Sequence, residues 1–575
     1  MGARPLVARV TAAAEREGAG LRRVLRGGAV NMAGAVVGAA LNLAVIVTIT
    51  RAFSQETAGL LFSATSVFLI AAVVANLGAS DGLVYFIARM RVFGRPGGVS
   101  WLLRTAVAPA VLVACALAVL LLACAGPVAE GLGGGADVYL RLLAVFLPFA
   151  VLADTALAAT RAHHDMAGTV LVDKVGRPLA QLALVAAVAV SGAAGLLALA
   201  WAGPYLPAAV LAWFWLGRVV RRAAPEAGGA PGEPVTPGTH GAAGDPVVVE
   251  TAAGPETGRA PGGPVAAGAP AAPRGEGASG APGATGTAAS PGGAEQVDAE
   301  RVEAERVDAR TFWSFALPRA VAGVAQMGVQ RGGVVLVALL GGLTGAAVFT
   351  AATRVMVVGQ FGTQAVLYAA QPRFAEQLAT GDHAGVRTLY QVGTAWLVSL
   401  LWPLYLSVLV FAPEVMRLFG PEYAAGATAL AVVCAGQLTA AALGMGDLVL
   451  TMTGLTRLNL VNNVLSLAAN VLVCVLLVPV AGATGAALAL VAAMLVRKLL
   501  PLWQLRSRVV LHPFSRPVLA ATASALTWFA ALPMLLEALL GGGVATLAMA
   551  VASGAVGHLV TVWSLRGLLG LGPRR

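Results

Sequence analysis

The chain has 575 residues, of which 58% are hydrophobic and 11% charged, with a mean hydropathy of +0.81. A soluble domain carries about 25% charged residues, so this composition excludes a soluble enzyme and reads as an all-α polytopic membrane protein. The net charge of +11 has no soluble basic domain to carry it, which excludes nucleic acid as a partner.

Residues 1–27, "MGARPLVARVTAAAEREGAGLRRVLRG", are basic, too long and broken for a secretory leader, and show no cleavage site. They read as a cytoplasmic segment entering an uncleaved first span. A helix crosses a bilayer with about 20 mainly apolar residues. Fourteen spans are expected, near 28–50, 58–80, 103–125, 138–160, 172–192, 194–217, 313–338, 345–369, 390–412, 427–451, 459–479, 483–503, 517–538 and 543–565. With the N-terminus in the cytoplasm, the 38 Lys and Arg residues sort to one side. Outer loops hold only Arg51, Arg141 and Arg417, and Arg331 and Arg354 fall inside spans. The rest are cytoplasmic, and even without the five in the long 223–310 segment the split is 28 against 3. A multi-pass protein of the cell membrane with both termini in the cytoplasm follows.

Spans one to six form an N-terminal lobe, 28–222. Its polar interior residues are Asp154 in span four, a candidate ion-coupling carboxylate, and Asp173, Arg177 and Gln181 on one face of span five. The Asp173–Arg177 pair reads as structural. His163 and His164 are adjacent, cannot face one ligand from a helix, and read as interfacial. Residues 223–310 contain no Phe, Trp, Tyr, Leu, Ile or Met. They are expected to be a disordered cytoplasmic insertion, because they bury too little apolar surface to offset ordering. Spans seven to twelve form a C-terminal lobe, 311–508, and 509–575 hold spans thirteen and fourteen with a cytoplasmic tail.

A weak internal repeat relates the lobes. "AGLLFSATSVFLI" from Ala58 matches "GAAVFTAATRVMVV" from Gly345, and Tyr85 and Arg89 align with Tyr368 and Arg373. Two lobes of like orientation place a substrate path between them. In span seven, Arg319, Gln326 and Gln330 share a face on a 100° wheel, while Arg331 points elsewhere and reads as reaching for the outer interface. In span eight, Thr350, Arg354, Gln360 and Gln364 form a polar stripe. An arginine at mid-depth costs about 2.5–3.5 kcal/mol on insertion scales, so the stripe faces protein or a hydrated path. Arginine suits phosphate through bidentate bonds, and glutamine suits sugar hydroxyls. Asn42, Gln437, Asn463, Asn470 and His558 read as helix–helix hydrogen bonders. The four cysteines, Cys115, Cys124, Cys434 and Cys474, have no metal-ligand spacing, and no metal or cofactor is expected.

The stretches "FWSFALPRA" opening span seven, "RLFGPEYAAGATAL" before span ten and "MTGLTRLNLVNNVLSLAANVLVCVLLVPVAGATGAALA" across spans eleven and twelve resemble one family. It is the Wzx-like polysaccharide transporters of the multidrug/oligosaccharidyl-lipid/polysaccharide exporter (MOP) superfamily. The resemblance implies two lobes working by alternating access. It implies a polyprenyl-diphosphate-linked oligosaccharide as substrate, flipped for cell-surface polysaccharide or lipopolysaccharide synthesis, with polysaccharide assembly proteins as candidate partners. It further implies that spans thirteen and fourteen form a groove for the lipid tail. Related lipid II flippases hold diphosphate with central arginines, one in span eight, and Arg354 in "TAATR" matches it. Those relatives also carry arginines within spans one and two, where "NLAVIVTIT" and "FLIAAVVANLGAS" have none. A lipid II flippase and a multidrug or cation exporter of the same superfamily remain as alternatives. An enzyme is not expected, since every outer loop is short and no nucleophile or phosphate-loop motif appears. The expected substrate contacts are Arg354, Gln360, Gln364, Gln326, Gln330 and Arg319.

Overall fold

In a bilayer the backbone has no water to bond, so each crossing segment must satisfy its own amides and carbonyls. The computed structural model describes residues 33–92, 98–132, 135–163, 165–223, 308–541, 543–567 and 569, and these hold helices and no strand. The expected leading segment 1–27 and nearly all of the expected insertion 223–310 lie outside the described residues.

Twelve helical segments are long and apolar enough to cross a membrane. Two of them hold a pair of spans each. Ala309–Ala379 breaks at Gly342 (φ 81°, ψ 166°), and Arg457–Leu505 breaks at Gly482 (φ 53°, ψ −129°). Fourteen spans result, as expected. Spans one to six are Ala33–Ala52, Gln55–Asn76, Val99–Gly131, Ala136–Ala162, Thr169–Ser191 and Ala194–Arg222. Spans seven and eight lie on either side of Gly342. Spans nine and ten are His383–Val410 and Pro421–Ala442, eleven and twelve flank Gly482, and thirteen and fourteen are Arg516–Leu540 and Ala545–Ser564. A shorter helix, Ala79–Val92, follows span two. Ser54, Asp308 and Ser515 cap the helices they precede by accepting from the amides of Thr57, Thr311 and Val518. The Thr311 hydrogen bonds hold the Asp308 carboxyl below its ordinary range.

Spans two, three, four and six pack among themselves, as do spans seven to twelve, and the halves meet chiefly where span two lies along Gly333–Ala379. That approach is close because it lacks side chains. A Cβ on Gly59 would run into the backbone carbonyl of Leu343. At the same arginine-poor end, Arg51 Nε and Nη2 donate to the carbonyls of Leu418 (2.8 Å) and Arg417 (3.3 Å). The halves also meet at the arginine-rich end. Gly78 (φ 73°) leaves no room for a Cβ beside the Ala316 carbonyl. Tyr85 stacks on Phe315 with centroids 4.3 Å apart, and Phe86 lies against Phe312 and Phe315. The two halves are thus in contact at both ends of the bundle.

Polar side chains inside spans mostly tie helices together. Asn462 and Gln504 exchange amide hydrogen bonds of 2.9 and 2.8 Å. His558 Nε2 donates to the Ser399 carbonyl (3.0 Å), which leaves Nδ1 to accept from Ser524 Oγ (2.9 Å). Trp528 Nε1 donates to Thr561 Oγ1 at 3.0 Å. These bonds fasten spans thirteen and fourteen to each other and to span nine. Asn42 instead bonds the Gly38 carbonyl of its own helix.

Candidate functional site

The polar groups expected inside spans separate into two neighbouring places. The first is a cavity of about 490 Å³ walled by spans two, four, five, six and seven. Asp154 opens into it and is built in by a turn. Span two ends at Leu77, which takes a left-handed conformation (φ 51°), a strained state for a branched side chain. The chain reversal brings Asn76 and Ser80 together. Asn76 Nδ2 (2.8 Å) and Ser80 Oγ (2.7 Å) both donate to Asp154 Oδ2, and the Ser80 amide donates back to Asn76 Oδ1 (3.1 Å).

Opposite stands a second cluster on span five. Thr169–Gly176 is π-helical, a wound-out turn that recurs at functional sites. It presents Asp173 to Arg177, whose Nε and Nη2 donate to Asp173 Oδ1 at 3.1 and 2.9 Å. Arg177 Nη1 also reaches Gln181 Oε1 and Tyr205 Oη, each at 3.4 Å, and its guanidinium lies 4.9 Å from the centre of the Tyr205 ring. Tyr205 in turn packs on Phe68 and Trp201. Arg319 lines the cavity from span seven. Its guanidinium sits over the Phe315 ring at 3.6 Å, against the aromatic contact that joins the halves.

The second place is between spans seven and eight. Arg354 donates through Nε to the Thr350 carbonyl of its own helix (3.1 Å). Among the described residues it has no carboxylate partner. Arg331, in span seven, makes no hydrogen bond or ion pair with a described residue. Each is a half-buried cation inside a span with no carboxylate partner among the described residues. The Thr350 hydroxyl beside Arg354 is also buried without a partner among the described residues.

Arg331 lies where the helix of span seven changes its winding. Gly328–Gly332 is a π-helical turn. A π-turn inserts one residue, so the faces before and after it are offset by about 100° from an α-helical wheel. Arg331 lies in that turn, so an α-helical wheel does not fix its face. The stretch "MGVQRGG" carries the signal, since three glycines weaken the α-helix around one cation.

The expected contacts are therefore not gathered in one place. Asp154 and Arg319 share the cavity, and Arg354 does not line it. Gln326, Gln330, Gln360 and Gln364 are exposed and line neither the cavity nor any hydrogen bond among the described residues. Asn76, Ser80 and Tyr205 were not singled out from sequence. The polar turn "NLGASDG" after span two was the signal for the first two.

No family model and no curated protein matches the sequence. Solved structures do match. One is "Lipid II flippase MurJ, inward closed conformation", with a TM-score of 0.61, 10% identity, and 95% of this chain and 100% of that one covered. Another is a multidrug resistance MATE family transporter of the MOP superfamily in an inward-facing conformation, with a TM-score of 0.57, 13% identity, and 83% and 97% covered. A third is a MOP superfamily transporter from Pyrococcus furiosus Vc1 (DSM3638), described as having a binding pocket of reverse polarity, with a TM-score of 0.50, 15% identity, and 84% and 95% covered. The fold is that of the MOP transporters.

Proposed function

We propose that this chain is a flippase that moves a polyprenyl-diphosphate-linked oligosaccharide across the cytoplasmic membrane by alternating access. The observation that carries this reading is Arg354, a half-buried cation inside span eight with no carboxylate partner among the described residues, beside the unpartnered Thr350 hydroxyl. A diphosphate supplies the missing charge and accepts the bidentate bonds that a guanidinium offers. The fold supports it, since a lipid II flippase shares it. Gln326, Gln330, Gln360 and Gln364 are free to meet sugar hydroxyls as exposed amides. Asp154 is the candidate ion-coupling group because it opens into the cavity beside Arg161 and Asp173. The one-sided arginine distribution orients both ends to the cytoplasm.

A second reading, a cation or drug exporter, draws on the first cavity, where Asp81, Asp154 and Asp173 stand with Phe68 and Tyr205. The test compares a deletion strain with strains complemented by wild type or Arg354→Ala, using mass spectrometry of polyprenyl-linked sugars. Accumulation of a lipid-linked glycan on deletion, unrelieved by Arg354→Ala, is the expected result. Drug sensitivity without glycan accumulation favours the exporter. Accumulation of lipid II itself moves the substrate to the peptidoglycan precursor.

A further inference from the structure

Two spans end in the same four-residue pattern. Span twelve ends "WQLR", Trp503 to Arg506, and span fourteen ends "WSLR", Trp563 to Arg566. The likeness extends to three dimensions. The guanidinium of Arg506 lies 4.9 Å from the Trp503 ring centre, and that of Arg566 lies 4.8 Å from the Trp563 ring centre. Each helix closes with the arginine amide donating to the tryptophan carbonyl, at 3.4 and 3.3 Å. The leucine between turns inward, Leu505 fully and Leu565 in part, and the chain beyond tucks in Val509 and Leu569. Both tryptophans face outward, 59% and 70% exposed, and both arginines are exposed as well. Neither guanidinium has an ion pair or side-chain hydrogen bond among the described residues.

Spans twelve and fourteen are both even-numbered, so both end on the arginine-rich side of the membrane, the side on which span six ends with Arg218 over Phe214 (4.4 Å). Tryptophan settles at the headgroup level, with its ring body in the apolar layer. An arginine lying on that ring has its planar fork held at the same depth, with its N–H groups unspent. Its charge also offsets the negative end of the helix dipole, which otherwise repels phosphate. The uncovered indole and the unpaired guanidinium together match an anionic phospholipid, whose acyl chain lies against the ring and whose phosphate meets the fork.

We infer that the two W-x-L-R helix ends are paired binding sites for anionic phospholipid headgroups of the leaflet on the arginine-rich side, anchoring spans twelve and fourteen at that depth.

The experiment uses the full chain in nanodiscs of phosphatidylcholine, alone or with one third phosphatidylglycerol. It reads the thermal midpoint and, by native mass spectrometry, the phosphatidylglycerol retained. The wild-type midpoint is expected to rise with phosphatidylglycerol. R506Q/R566Q should lose at least half of that rise and retain phosphatidylglycerol about five-fold less tightly for each guanidinium removed, while matching wild type in phosphatidylcholine alone. R506K/R566K keeps the charge but not the planar fork and should resemble the glutamine variant. R221Q/R222Q removes the same charge from the same side without a ring beneath it and should keep the full rise. A full rise in R506Q/R566Q overturns the sites. An equal loss in R221Q/R222Q reduces them to general surface charge, and a lysine pair that matches wild type overturns the stacked geometry.

Discussion

Arg354 and Arg331 are half-buried inside spans, and neither pairs with a carboxylate among the described residues. A structural arginine is held by partners, and its removal destabilises because it leaves those partners unpaired. Here removal takes away a partly buried charge and leaves no carboxylate unpaired, since the one side-chain bond of Arg354 goes to the Thr350 carbonyl of its own helix. Arg331→Met and Arg354→Met are therefore expected to leave the thermal midpoint unchanged or raised, while weakening binding of a soluble polyprenyl-diphosphate analogue at least about tenfold, given 1.5–3 kcal/mol for a hydrogen bond to a charged group. Scanning calorimetry and a binding titration on each variant check this, and a lowered midpoint would mark the pair as structural. Asp154 poses the opposite case, since its Oδ2 already receives both Asn76 and Ser80. An asparagine oxygen can receive the same two donors, so Asp154→Asn should keep the fold. It should abolish the response of flipping to an imposed proton or sodium gradient in vesicles if this group couples transport to an ion.

At the scale of elements, the spans were legible because apolar length is a linear property of a sequence. All fourteen were readable from runs of about 20 residues, including the two pairs that run together through Gly342 and Gly482. The π-turns in spans five, seven and thirteen were not. A wheel assumes a constant 100° per residue, and one inserted residue defeats it, so the face of Arg331 could not be read from the wheel. The first cavity escaped as well, because its wall comes from five spans distant in sequence and only their packing brings Asn76, Asp154 and Tyr205 together. The contact of span two with the turn after span seven depends on a missing side chain. Gly59→Val places atoms where the Leu343 carbonyl stands, and backbone cannot yield as a side chain does. The halves should part at the arginine-poor end, seen as several-fold faster hydrogen exchange in residues 340–346. Arg51→Ala removes the guanidinium from the carbonyls of Arg417 and Leu418 and should move exchange there in the same direction, by a smaller factor because that site is exposed. Unchanged exchange in Gly59→Val would show that the approach is not needed to keep this end closed.

For the whole molecule, the two halves form one compact unit through helix packing alone, with spans six and seven as the elements on either side of residues 225–306. Stability of such a bundle comes from packed apolar side chains and interhelical hydrogen bonds. Its largest buried side chains are Tyr390, Tyr405, Tyr423, Phe68, Phe312 and Phe374, all within spans or the loops that cap them. Residues 225–306 contain no aromatic, Leu, Ile or Met side chain and so have little to add to that packing. Both chain ends that flank them are helical, Tyr205–Ala223 on one side and Ala309–Met327, capped by Asp308, on the other. Replacing 225–306 by a flexible Gly/Ser linker, with the cap kept, should leave the thermal midpoint within about 2 °C, well under the shift expected for a change of 1 kcal/mol in a small domain. Flipping should persist at more than half the wild-type rate. A preserved midpoint with lost flipping would assign the segment to regulation or to docking of an assembly partner. A lowered midpoint would mean that it packs against the spans after all, and that composition alone is a poor guide to its role.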